Sequence, residues 1–133
     1  MKIEILVIDE NAIVVKGLRS ASESRMISES AEEEHRNRIM ATLIEEKFME
    51  RAMKQIISNI NWASENGRRE SCSSGYGDRS SPLRCYYTDK CNLMEEIIKC
   101  QIFPILRKQG YQCKIERHYF ATNETYFNVK ISW

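Results

Sequence analysis

The residues best suited to bind a ligand are arginines and tyrosines in and beside the segment 67–84. They are Arg68, Arg69, Arg79 and Arg84, with Tyr76, Tyr86 and Tyr87. Arginine makes bidentate contacts with phosphate and stacks on bases, and tyrosine rings offer surfaces on which bases stack. A backbone rich in Gly and Ser also presents N–H groups to an anion. The combination predicts a ligand-binding site for a small nucleotide, although a solvated, disordered loop would have the same composition.

No recognisable catalytic set accompanies these residues. His35 lies in a run of charged residues, where we expect it to be solvated. Cys113 and His118 could form a nucleophile and base pair, but their odd separation places them on opposite faces of one strand. The sequence contains no G-x-S-x-G, P-loop, G-x-G-x-x-G or H-E-x-x-H motif. We therefore expect a binding protein rather than an enzyme, with no catalytic residue and no cofactor.

The cysteines could in principle hold zinc. They are Cys72, Cys85, Cys91, Cys100 and Cys113. Structural zinc sites usually use close pairs such as C-x-x-C, and no two of these cysteines are that close. An odd number also leaves one cysteine outside any disulfide framework. We expect free thiols and no metal site, with Cys100 and Cys113 as small buried hydrophobes; a zinc-stabilised nucleic-acid-binding module stays as an alternative.

Composition limits the class of protein. The chain has 133 residues, with 20 Lys and Arg against 19 Asp and Glu, for a net charge of +1. This length predicts one domain over 1–133, and the balanced charge makes bulk nucleic acid an unlikely partner. The apolar run at the N-terminus is interrupted by Glu4 and resembles neither a signal peptide nor a membrane span. We expect a soluble, cytoplasmic protein with no membrane partner.

The first half of the chain predicts strands followed by a long helix. The N-terminal region 1–19 contains two β-branched runs, at 2–8 and 12–15, that are typical of strands. Apolar residues then recur at three- and four-residue steps, which predicts a helix over 29–66 with Ser28 or Ser30 as its cap. Asn66-Gly67 is a typical helix end.

The predicted long helix also suggests self-association. Its apolar stripe includes Met40, Met49 and Met53 beside several isoleucines, and methionine adapts well to partner surfaces. A helix of this length suggests either a break near residue 36 or packing on another subunit. We therefore expect a homo-oligomer, although an ordinary core stripe would have the same pattern.

The second half predicts a loop, a shorter helix and a β-hairpin. Segment 67–84 is rich in Ser and Gly and is interpreted as a loop. Asn92 and Glu95 fit a capping box that begins a helix over 92–109, and Pro104 should bend this helix. Two alternating runs over 111–133 predict the hairpin, with its turn at 121–124 and with Phe127, Val129, Ile131 and Trp133 on the core side. The fold class is α+β, with both helices packed on a small antiparallel sheet.

The C-terminal half resembles small proteins of tailed bacteriophages. The resemblance covers roughly residues 50–133 and rests on the helix ends at 60–67 and 105–111 and on the final Lys130-Ile131-Ser132-Trp133. It implies an accessory factor, for which the anti-defence class is one candidate, acting in the cytoplasm of an infected bacterium. The cysteine content and the long loop 67–84 depart from the pattern. Because the matching residues are structural signals, the resemblance assigns no functional residue.

Three functional hypotheses follow. The first is an anti-defence protein that sequesters a nucleotide-derived immune signal at the arginines and tyrosines named above. The second is an anti-CRISPR-like inhibitor that binds a host nuclease or another host defence protein through its helix or hairpin edge. The third is the zinc-stabilised module.

Overall fold

The computed structural model describes residues 4–9, 12–77, 80–120 and 124–133. The chain divides into two compact units, Met1–His35 and Arg36–Trp133. The prediction of one domain over 1–133 stays a prediction. The two units are described separately below.

The first unit contains a strand pair and the beginning of a helix. β1 (Glu4–Asp9) and β2 (Ala12–Lys16) run antiparallel, as their β-branched residues predict, with a register shift between Val7 and Asp9. α1 (Ala21–Glu45) begins after Ser20, whose hydroxyl accepts a hydrogen bond of 3.1 Å from the Glu23 amide. The helix therefore begins earlier than predicted, and Ser20 rather than Ser28 or Ser30 caps it.

The helix predicted over 29–66 is in fact two helices. α1 ends at Glu45, and α2 (Phe48–Glu65) follows a turn in which Lys47 has a left-handed backbone with a φ of 56°. The break lies at Glu46–Lys47 rather than near residue 36. Leu43 and Phe48, on either side of it, are both buried, so tertiary packing overrides the local preference for one continuous helix. The methionines of the predicted stripe, Met40, Met49 and Met53, pack against the core of the second unit.

The sheet of the second unit is built around its last strand. Its members are β3 (Glu70–Ser74), β4 (Arg84–Cys85), β5 (Gln112–Phe120) and β6 (Glu124–Ser132). β6 pairs with β5 along one edge and with both β3 and β4 along the other, always antiparallel. The loop prediction for 67–84 is therefore wrong at 70–74. The predicted hairpin is present, and its turn residues 121–123 lie outside the described residues.

The predicted helix 92–109 begins earlier and is irregular. α3 (Thr88–Ile97) leads into a π-helical turn (Ile98–Ile102) and then α4 (Phe103–Lys108). Pro104 has no amide hydrogen to continue the α-helical ladder, and the preceding amide of Phe103 bonds the Ile98 carbonyl five residues back. The helix is thus π-helical in the turn before Pro104, and the predicted bend stays a prediction. Asn92 does not cap the helix, which starts after Tyr87.

The core of the second unit lies between the helices and one face of the sheet. Phe127, Val129 and Ile131 of β6 are almost fully buried, together with Ile56 of α2 and Ile102, as the alternation of the hairpin predicts. Trp133 was predicted on this side but remains 37% exposed at the chain end. The α+β class, with helices packed on a small antiparallel sheet that includes a C-terminal hairpin, is confirmed.

Candidate functional site

The face of the sheet opposite the helices carries the polar side chains. Because Phe127, Val129 and Ile131 of β6 face the core, the alternate residues from Tyr126 to Ser132 face the other way. Cross-strand partners share a face, so the register places polar residues of β3, β4 and β5 beside them. We call this the outer face.

An aromatic cluster occupies one end of the outer face. It consists of Tyr76, Tyr126 and His118. The His118 ring is nearly parallel to the Tyr126 ring, with centroids 5.1 Å apart and an interplanar angle of 19°. The centroid of the Tyr76 ring lies 5.3 Å from that of the Tyr126 ring, and the two rings are tilted by 52°. Such spacings are those of favourable aromatic pairs, so the cluster forms a platform of π surfaces.

A recess of about 290 Å³ opens beside the aromatic cluster. It lies at the lower end of the size range of small-molecule sites, which suits one flat ring system. Tyr76 and Tyr126 line it together with Arg84 and Glu124. Gly75 also lines the recess, and its lack of a side chain lets it approach the backbone of Leu83, with which a Cβ at this position would clash.

The polar wall of the recess is a preformed ion pair. Nη2 of Arg84 donates to Oε2 of Glu124 over 2.6 Å, and both side chains are partly buried. The Arg84 guanidinium also lies over the Tyr86 ring, 5.9 Å from its centroid. Its charge is therefore already compensated by Glu124 within the recess.

Hydrogen bonds to α2 fix the segment that carries Tyr76. Gln55 of α2 donates to the Ser74 carbonyl over 3.2 Å and accepts from the Ser81 hydroxyl over 2.8 Å. Arg51 donates to the Ser80 carbonyl over 2.6 Å. Hydrogen bonds therefore hold the chain to α2 both before Tyr76, at Ser74, and after it, at Ser80 and Ser81.

The predicted site residues separate into different regions. Tyr76 and Arg84 share the recess, and Tyr86 contacts Arg84. Arg68 lies instead over the Trp62 ring of α2, 5.0 Å from its centroid. The carbonyl of Arg69 accepts from the amide of Trp133, at the far end of β6. This end is about 20 Å from Tyr126, counted as six strand residues.

The two remaining predicted residues do not add to this cluster. Tyr87 is 73% exposed and immediately precedes α3. Arg79 lies outside the described residues. Arg68 and Arg69 line a separate, open recess of about 1170 Å³ at the far end of the sheet. The structure therefore divides the predicted arginines that it describes between two recesses, and the role of all seven predicted residues in binding a small ligand stays a prediction.

Sequence reasoning missed a pair of lysines on the outer face. Lys130 of β6 and Lys114 of β5 are direct cross-strand partners. Both approach Glu116, at 3.1 Å and 3.6 Å respectively. Hydrogen bonds from Lys130 and His118 hold the pKa of Glu116 below its usual value. The sequence did contain a signal for these residues. Lys114, Lys130, His118 and Tyr126 alternate with the core residues of the predicted hairpin and therefore share its outward face.

The cysteines are free thiols, and none of the described residues forms a cluster that could hold a metal ion. The prediction for two of them is wrong, since Cys100 is exposed and Cys113 is only half-buried, whereas Cys85 and Cys91 are buried. A hydrogen bond from Cys91 lowers the pKa of the Cys85 thiol to about 7, and the same contact raises the pKa of Cys91.

In the part of the chain that the structure describes, no helix is both long and apolar enough to cross a membrane. Comparison with protein-family models, with curated proteins and with solved structures gives no match for this chain.

Proposed function

We propose that this protein binds a nucleotide, whose base stacks on the aromatic cluster of the outer face. The observation that carries the proposal is the cluster in which the Tyr126 ring lies 5.3 Å from the Tyr76 ring and 5.1 Å from the His118 ring. Every base has a π surface, and stacking on aromatic side chains is the main attraction in sequence-tolerant binding of bases. A base in the adjacent recess would extend this stack.

The ion pair of the recess supports a base rather than a purely apolar ring. A carboxylate accepts from an exocyclic amino group, and a guanidinium donates to ring nitrogen or keto oxygen. Glu124 and Arg84 present both functions next to the platform, already oriented by their 2.6 Å contact. In the anti-defence role suggested by the phage resemblance, capture of a nucleotide signal at this site would withhold it from its receptor.

The test is nucleotide binding by Tyr126→Ala, measured by calorimetry with a panel of nucleoside monophosphates. Loss of one stacking ring costs about 1–3 kcal/mol, which weakens the affinity by about 5- to 150-fold. Tyr119→Ala is the matched control, because Tyr119 is a 75% exposed tyrosine of β5 whose side chain lies on the opposite face of the sheet. Tyr126→Phe should retain binding.

Two results would refute the proposal. One is the absence of binding to any nucleotide, short oligonucleotides included. The other is equal weakening by Tyr126→Ala and Tyr119→Ala when both variants melt at the same temperature.

A further inference from the structure

We infer that the ligand of the outer face is a short single-stranded oligonucleotide, which runs from the aromatic cluster to the lysine pair Lys114 and Lys130. The inference rests on the proposed function and names its substrate class. It would make the outer face one continuous site, with bases held at one end and phosphates at the other.

The register of β6 fixes the length of this site. Tyr126 and Lys130 lie on the same face four residues apart, which is about 13 Å along a strand. A mononucleotide has its phosphate attached directly to the sugar, so it cannot stack on Tyr126 and reach Lys130. Stacked nucleotides advance about 3.4 Å each along one strand, and the distance therefore corresponds to about four nucleotides.

The charges of the lysine pair favour an anion at this end. Like charges directly opposite each other in a sheet are destabilising, and Lys114 and Lys130 occupy such a position. Glu116 contacts both ammonium groups, and its carboxylate is shared with His118 as well. Glu70 contributes a second carboxylate at the adjacent register position. Lys114 is 71% exposed, and contacts of this kind are weak enough for a phosphate to replace.

The surface between the two ends consists of polar side chains and includes the Glu116 carboxylate, which is paired with the two lysines. Asn128 of β6 lies there, with Ser74 of β3 as its partner on one side and Glu116 of β5 on the other. Because the Ser74 side chain is short, it does not obstruct an oligonucleotide backbone that lies across this part of the outer face. The low net charge of the chain fits a ligand with few phosphates better than a long nucleic acid held by bulk charge.

The first experiment compares adenosine monophosphate with the dinucleotide and the tetranucleotide of the same base. The affinity should rise by at least tenfold between the mononucleotide and the tetranucleotide. Each phosphate contact to a single strand contributes a slope of about −0.7 to the dependence of log K on log salt concentration, so two contacts give about −1.4. In the double variant Lys114→Gln, Lys130→Gln this slope should fall toward zero. Lys108→Gln, on α4, is the control and should leave it unchanged.

A second measurement locates the ligand. Cys72 is exposed and is the cross-strand partner of Lys130, so the bound tetranucleotide should slow alkylation of Cys72 whereas the mononucleotide should not. Burial raises the pKa of the Cys72 thiol, and mildly alkaline buffer is therefore required. Cys100 is also exposed but lies in the π-helical turn, where its alkylation rate serves as the internal control.

The outcomes separate this inference from the proposed function. One outcome is binding that depends on Tyr126 but not on the number of nucleotides in the ligand, with unchanged alkylation of Cys72. This outcome refutes the inference of an oligonucleotide ligand and leaves the proposed base-binding site standing. Length-dependent binding that Tyr126→Ala does not weaken refutes both.

Discussion

Replacement of Arg117 by methionine should destabilise the second unit. Arg117 lies on the core side of β5, where Nη1 donates to Asn92 and Nη2 to Glu95 of α3, both over 2.8 Å. Its guanidinium lies 5.4 Å from the Phe127 ring centroid. Asn92 and Glu95 thus hold the sheet to α3, where the sequence had suggested a helix cap.

The magnitude follows from the two hydrogen bonds. Bonds to charged groups contribute about 1.5–3 kcal/mol each, and the desolvation of the arginine offsets part of this. Methionine keeps the apolar contact with Phe127 but leaves Glu95 without its arginine, although Lys99 remains 3.4 Å away. We expect a net loss of about 2 kcal/mol. With a urea m-value of about 2 kcal/mol/M, this lowers the unfolding midpoint by about 1 M.

Urea unfolding followed by tryptophan fluorescence is the assay. Both tryptophans, Trp62 and Trp133, belong to the second unit, so the signal reports on that unit. Arg107→Met is the matched control, since Arg107 also lies over a ring, that of Phe103, at 5.3 Å but is exposed. A midpoint shift for Arg117→Met no larger than that for Arg107→Met would refute the reasoning.

Three further predictions concern stability and titration. Gly75→Ala should lower the melting temperature, because its Cβ would clash with the Leu83 backbone; an unchanged temperature would contradict this. Lys47→Gly should raise the free energy of unfolding by about 1 kcal/mol, since glycine adopts a left-handed backbone without the steric cost that Lys47 bears. A free energy of unfolding that is unchanged or lower in urea titration would contradict this. The lowered pKa of Cys85, about 7, stabilises the folded state above the unfolded thiol pKa and loses this effect as pH falls through 7. Ultraviolet thiolate absorbance should therefore show a step near pH 7 that Cys85→Ala removes, and its persistence would disprove the assignment.

Strong local signals made parts of the fold predictable. The alternation of the hairpin identified its core side, and Gly67 and Gly110 end their helices with positive φ values of 73° and 94°. β3 was not predictable, because its sequence Glu-Ser-Cys-Ser-Ser has no apolar alternation. Its burial comes from tertiary pairing, in which the fully buried Ser73 hydroxyl accepts from Asn59 of α2 over 2.9 Å.

The candidate site was predictable only in part for the same reason. Tyr76 and Arg84 are close in sequence and lie together in the structure. Tyr126 and Lys130 join them only because β6 pairs with strands far earlier in the chain. The homo-oligomer and the host-protein partner stay predictions.

The central position of β6 has a consequence for synthesis on the ribosome. β3, β4 and β5 pair with β6, and β6 is the last of these strands to be translated. β3 must therefore wait until more than fifty further residues have been added, since its partners lie at Asn128–Ser132. Pairing across such separations is slow to form. Until β6 emerges, the apolar faces of α2 and α3 have no sheet to cover them, and a nascent chain that stalls before β6 would be a substrate for chaperones.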